Sequence, residues 1–142
     1  MGFNELKNAE GYPDPTSYQA LRKVGKEAAY RPLVYICSPY RGNEHTNSLK
    51  AQYYSRFAVK LGYLPITPHI YFPQFMRDEV KEERETAMFM NHILFGKCHE
   101  LWVFGKCISE GMQRELGWAK KAGKKIRYFN EDLEETGGLD NV

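Results

Sequence analysis

Ser109-x-Gly111-x-x-x-Glu115 is the spacing in this chain best suited to chemistry. It lies within ISEGMQRELGWAKKAG, Ile108 to Gly123, directly after the apolar run ELWVFG. The pattern predicts a buried strand turning into a helix, with Ser109 and Gly111 at the helix start. In an open α/β sheet such a corner presents unpaired backbone N–H groups and the positive end of the helix dipole, and so attracts anions. The helical neighbours of Glu115 are Gly111, Met112, Trp118 and Ala119, so no cation stands four residues away to pair with it. A carboxylate on a partly apolar helix face beside an anion site is a candidate for bond-making chemistry. The plainer alternative is a surface glutamate behind a serine N-cap.

A second loop has matching character. Ser38, Arg41 and Gly42 follow the apolar run LVYIC and could cradle a phosphate, with Ser109 and Gly111 adding a hydroxyl and a helix-start N–H to the same anion. His69, after a further short apolar run, could touch a base or sugar at the mouth of such a site or serve as a structural histidine. Tyr71, Phe72 and Phe75 could stack on a heterocycle or plug the core.

The elements that must position these residues alternate. Strands are expected at 33–37, 64–67, 100–104 and 125–129, and helices at 44–61, 82–98 and 109–122. The helix over 44–61 rests on Tyr54, Phe57, Ala58 and Leu61 at helical spacing, with Gly62 as its stop. The segment 69–81 is read as an irregular loop or lid. Residues 1–31 are read as an N-terminal arm, with a short helix from Tyr18 to Ala29, and 131–142 as an acidic tail. Alternating strands and helices argue for a parallel sheet covered on both faces. The expected architecture is a small doubly wound α/β fold of order 2-1-3-4 with room for a fifth strand. Its switch point falls between the first and third strands, so loops 38–43 and 105–111 should face each other across one crevice.

Composition narrows the function classes. At 142 residues and net charge +2 the chain suits one domain, and its only basic cluster, AKKAGKK, sits at a helix end where cations favour the dipole. No nucleic-acid surface is expected. No apolar run approaches the roughly 20 residues that span a bilayer, so no membrane partner is expected. The N-terminal residues carry no secretory pattern. Cys37, Cys98 and Cys107 have no metal-ligand spacing and read as reduced thiols of a cytoplasmic protein.

Three motifs carry a family likeness: Tyr35-Ile36-Cys37-Ser38-Pro39-Tyr40-Arg41-Gly42, then Ser109-x-Gly111-x-x-x-Glu115-Leu116-Gly117-x-Ala119, and more weakly Thr67-Pro68-His69. Over about 33–129 the chain resembles the nucleoside 2-deoxyribosyltransferase superfamily, most closely its 2′-deoxynucleoside 5′-phosphate N-hydrolase branch. The resemblance implies cleavage or transfer at the N-glycosidic bond of a (deoxy)nucleoside 5′-monophosphate. Glu115 would be the nucleophile and Tyr35 the residue that holds it. It also implies a homodimer or larger assembly and no metal or organic cofactor. Where the family has an Asp near sugar and base, this chain has Asn91; Glu85 or Asp78 would have to substitute, or the chemistry differs. Two other readings stay open: a nucleotide-binding protein without turnover, and an NAD-type glycohydrolase.

Overall fold

The structure, a computed structural model, describes residues 30–138. The expected arm over 1–31, with its helix from Tyr18 to Ala29, falls outside them except for its final two positions. In chain order the elements are β1 (Leu33–Cys37), α1 (Glu44–Lys60), β2 (Leu64–Ile66), α2 (Pro68–Tyr71), a 3-10 turn (Phe72–Gln74), α3 (Lys81–Gly96), β3 (Glu100–Phe104), α4 (Glu110–Ala122), β4 (Lys125–Phe129) and β5 (Glu135–Thr136).

The sheet order is β2-β1-β3-β4-β5. The first four strands are parallel, with Tyr35 in register with Ile66 on one side and Leu101 on the other. Side chains alternate along each strand, so one apolar run serves two faces. Tyr35, Cys37, Leu101 and Val103 meet Phe95, Met112, Leu116 and Ala119 on one face. Val34, Ile36, Trp102 and Phe104 meet Tyr54, Ala58 and Phe129 on the other. This is why LVYIC and, after Glu100, LWVF read as unbroken apolar runs: β1 and β3 are covered on both sides. The doubly wound α/β expectation therefore holds, with Trp102 and Phe104 in the core.

Three expectations need correction. The segment 69–81 is not wholly irregular, because α2 and the 3-10 turn occupy its first part. Pro68 and Pro73 stand in the first turns of those two pieces, where a missing N–H costs nothing and a fixed φ favours the helix. The acidic stretch after 130 is not merely a tail: Glu135 and Thr136 pair antiparallel with Phe129 and Tyr128, and Arg127 clamps Glu135 through two hydrogen bonds of 2.9 and 2.7 Å. Leu61 is the C-cap of α1 and is exposed, although it follows the spacing of the buried Tyr54 and Ala58.

Helix α4 has both ends defined by its own residues. The Ser109 hydroxyl accepts the Met112 N–H at 3.2 Å, and Gly123 closes the helix at φ +68°, in the left-handed region where a side chain would be strained. The next residue ties α3 to the sheet. The Lys124 ammonium donates to the carbonyls of Phe95 and Cys98, both at 2.7 Å, and lies 4.3 Å from the Phe95 ring centre. Lys124→Ala should cost about 2 kcal/mol, the range for hydrogen bonds to a charged group. Chemical denaturation of the two proteins should show a lowered midpoint with an unchanged slope.

Candidate functional site

Tyr35 is fully buried on β1, and its side chain points toward α4 because even and odd positions of the strand face opposite sides. Its hydroxyl donates to Glu115 Oε2 at 2.7 Å, joining residues 80 positions apart in sequence. Burial raises the Glu115 carboxyl to about 7, while hydrogen bonds from Tyr35 and Cys37 and the charge of Arg114 pull it back down. Burial, followed by the charge of Glu115 and the hydrogen bond to it, holds the Tyr35 phenol well above its usual range. The phenol therefore remains a donor, and the carboxyl can switch between its two forms near neutral pH.

Cys37 is the residue that sequence reasoning passed over. Its thiol donates to the Met112 carbonyl at 3.9 Å and lies close enough to Glu115 to favour the ionised carboxylate. Burial pushes the thiol well above its usual range, so it too stays protonated. The available signal was its place two residues after Tyr35, on the same face of the same strand.

Ser38 and His69 also meet. Ser38 Oγ lies 2.9 Å from His69 Nε2, which ties the end of β1 to the start of α2. Burial lowers His69 to about 4, so the ring is uncharged at neutral pH. His69 and Asn91 then line one cavity of about 340 Å³ with Tyr40, Phe72 and Met76. Asn91 Oδ1 is buried in the protein without a hydrogen-bond partner. A second hollow of about 240 Å³ opens at the carboxyl ends of β1 and β3 between Ser38, Asn47, Lys50, Gly105 and Lys106. This is the switch-point crevice expected from the strand order. Its two lysines were not singled out in the sequence, though Lys106 directly follows the strand-ending Gly105.

The remaining candidates are less gathered. Arg41 is exposed and forms an ion pair with Asp78 at 2.8 Å, so it bridges the loop after β1 to the segment before α3. Gly42 has φ +101°, which a residue with a side chain would adopt only under strain. Ser109 and Gly111 sit at the start of α4, and Ser109 already caps that helix. Neither of them lines the cavity that holds Asn91 and His69. Of the two proposed substitutes for the missing family Asp, Asp78 is engaged by Arg41 and Glu85 is exposed. Among the described residues no group of His, Cys, Asp and Glu is placed to hold a metal, and no helix is long and apolar enough to cross a membrane.

Residues 32–129 match the family described as a domain of unknown function, DUF7768. The chain belongs to that family. No curated protein sequence matches it. This DUF7768 domain is similar in structure to the 2-deoxyribosyltransferase of the psychrotolerant bacterium Bacillus psychrosaccharolyticus. The TM-score is 0.56 at 20% identity, with 77% of each chain covered. The DUF7768 chain thus has the Rossmann-like fold of the deoxyribosyltransferases.

The Glu115 carboxyl has a measurable consequence for the DUF7768 domain. Its folded-state value, about 7, lies above the ordinary carboxyl range, so in the window between them the folded protein binds more protons than the unfolded chain. Stability from this group is therefore greatest at the acid end and falls as pH rises through 7. Glu115→Gln removes the buried charge while retaining an acceptor for Tyr35. It should raise Tm relative to the parent at pH 8, by up to about 3 kcal/mol of stability, and by much less at pH 5. Thermal melts of both proteins at the two pH values check this.

Proposed function

We propose that this protein cleaves or transfers the N-glycosidic bond of a nucleoside or nucleoside 5′-monophosphate, with Glu115 as nucleophile. The observation that carries the reading is the 2.7 Å hydrogen bond from Tyr35 to a carboxyl held near 7 by burial. Breaking an N-glycosidic bond passes through an oxocarbenium-like state. A carboxylate beneath C1′ stabilises that charge and can trap the sugar as a glycosyl-enzyme. A water-poor pocket makes such a carboxylate stronger toward a developing cation than an exposed one. The shared fold of the 2-deoxyribosyltransferase is consistent with this chemistry.

In this reading Tyr35 holds the carboxylate in one rotamer by donating to its Oε2. The 5′-phosphate is assigned to the carboxyl edge of the sheet, among Ser38, Arg41, Gly42 and the Ser109–Gly111 start of α4. Arg41 would keep Asp78 on one guanidinium nitrogen and offer its other N–H groups to the phosphate. A second copy of the chain is the proposed partner, covering the exposed Tyr71, Phe75, Phe89 and Ile93. The second reading, a nucleotide-binding protein without turnover, draws on Asn91, whose carboxamide cannot exchange a proton.

Release of free base, followed by proton NMR, separates the two. The proposal expects release by the parent protein and none by Glu115→Gln; binding without release by the parent favours the second reading. The rate should rise with pH through about 7, as the nucleophile ionises. Tyr35→Phe should lower kcat/KM by about 10- to 100-fold and move that rise to higher pH, because the carboxylate loses a donor. Arg41→Ala should raise KM for a nucleoside 5′-monophosphate by about 10-fold and leave the matching nucleoside little affected.

A further inference from the structure

Neither Tyr35 nor Glu115 lines the cavity that holds Asn91, but the helix that carries Asn91 reaches that pair through Phe95. Asn91 stands one helical turn before Phe95, whose ring meets Tyr35 edge-on with centres 5.8 Å apart. The next residue, His92, stacks on Trp118 at 4.4 Å, and Trp118 lies three positions after Glu115 on α4. Phe95 and Trp118 are also in ring contact, with centres 5.7 Å apart, so α3 and α4 pack together next to Tyr35.

A neutral purine or pyrimidine leaves a sugar as an anion unless an acid protonates it, and a positioned acid typically contributes 10²- to 10⁴-fold. The cavity wall holds carboxyl groups, but each is exposed or engaged elsewhere. Asn91 can accept or donate a hydrogen bond but has no proton to transfer. His69 is uncharged at neutral pH and already engaged with Ser38. Asp78 is taken by Arg41 at 2.8 Å, and Glu83 Oε1 accepts the Arg77 backbone N–H at 2.8 Å. Glu44 and Glu79 are exposed. Even with Arg41 set against Asp78, the carboxylates of Glu44, Asp78, Glu79 and Glu83 outnumber the arginines Arg77, Arg84 and Arg41.

We infer that this cavity receives the leaving heterocycle, and that its substrates are N-glycosides whose heterocycle already carries a positive charge, a pyridinium or an N7-alkylated purine. The inference rests on Glu115 being the nucleophile. The C1′–N bond breaks with its electron pair returning to the ring nitrogen, so the charge of the heterocycle is quenched and it leaves neutral. A Glu115 oxygen forms the new bond to C1′. Water then attacks C1′, the carboxylate departs, and one proton passes to solvent. No acid is needed at position 91. The unpartnered Asn91 Oδ1 is free to accept an N–H from the heterocycle or its amide substituent.

The test is base release at neutral pH from four 5′-monophosphates: nicotinamide ribonucleotide, N7-methylguanosine, guanosine and deoxyguanosine. The first two arms distinguish pyridinium from alkylated purine. Parent protein and Glu115→Gln are assayed on all four, and Asn91→Asp on the purines. Release from at least one cationic substrate should exceed that from the neutral ones by about 100-fold or more. Asn91→Asp should narrow the gap between methylated and unmethylated guanosine by raising the neutral rate, with the gain fading as pH rises and the new carboxyl ionises. Release from neutral and cationic substrates within about 10-fold of each other, abolished by Glu115→Gln, overturns the leaving-group inference and keeps the N-glycosidase reading. No release from any substrate, or release that survives Glu115→Gln, overturns both.

Discussion

Placing one carboxylate among apolar side chains is the constraint on which this site depends. A charge taken out of water is costly unless donors replace the solvent it loses. Here the donor is the Tyr35 hydroxyl, with the Cys37 thiol two residues on along the same face of β1. A strand is well suited to the task because positions 35 and 37 point the same way and are fixed by pairing with β2 and β3. The supports continue outward. Phe95 backs the Tyr35 ring, and Lys124 binds the carbonyl of Phe95 while lying against its ring. A change at the far end of α3 is thereby linked to the rotamer of a tyrosine that touches the carboxyl.

Tyr35, Cys37 and His69 are all kept in their uncharged forms. Burial is the first cause for Tyr35, Cys37 and His69, raising the phenol and thiol and lowering the imidazole. Tyr35 donates to Glu115, Cys37 to the Met112 carbonyl, and His69 holds Ser38. Glu115, when ionised, therefore supplies the negative charge beside Tyr35 and can serve as an electrostatic anchor for a cationic sugar. The price is a carboxyl that is only partly ionised at neutral pH.

Much of the fold could be read from β1 and β3 alone. Apolar runs of five and four residues between turn signals leave few alternatives to central strands, and the helices between them impose parallel pairing. Glu115 was legible for a related reason, since its helix neighbours gave it no partner of opposite charge. The misses have a common origin. Leu61 follows the correct spacing but falls where α1 ends, and a periodic pattern does not show where the neighbouring layer stops. Asn91, by contrast, stood out only through the family likeness; its orphaned oxygen emerges from packing between helices distant in sequence. The short β5 depends on Arg127 reaching Glu135, a pairing set by the β4 register rather than by local preference. Arg41 reads as a free loop cation until the segment before α3 brings Asp78 to it.

The two ends of the sheet differ in a way that bears on how the molecule behaves in a crowded solution. On the β4 side, β5 occupies the outermost hydrogen-bonding groups with only two residues, too few to template another chain. On the other side, β2 is three residues long with Pro65 at its centre, so that rim lacks a backbone donor where an incoming strand would need one. Neither rim offers a continuous ladder. A core this rich in β-branched and aromatic strand residues is thereby shielded from edge-to-edge growth, and cross-β stacking of native molecules has no starting point at the margins of the described sheet.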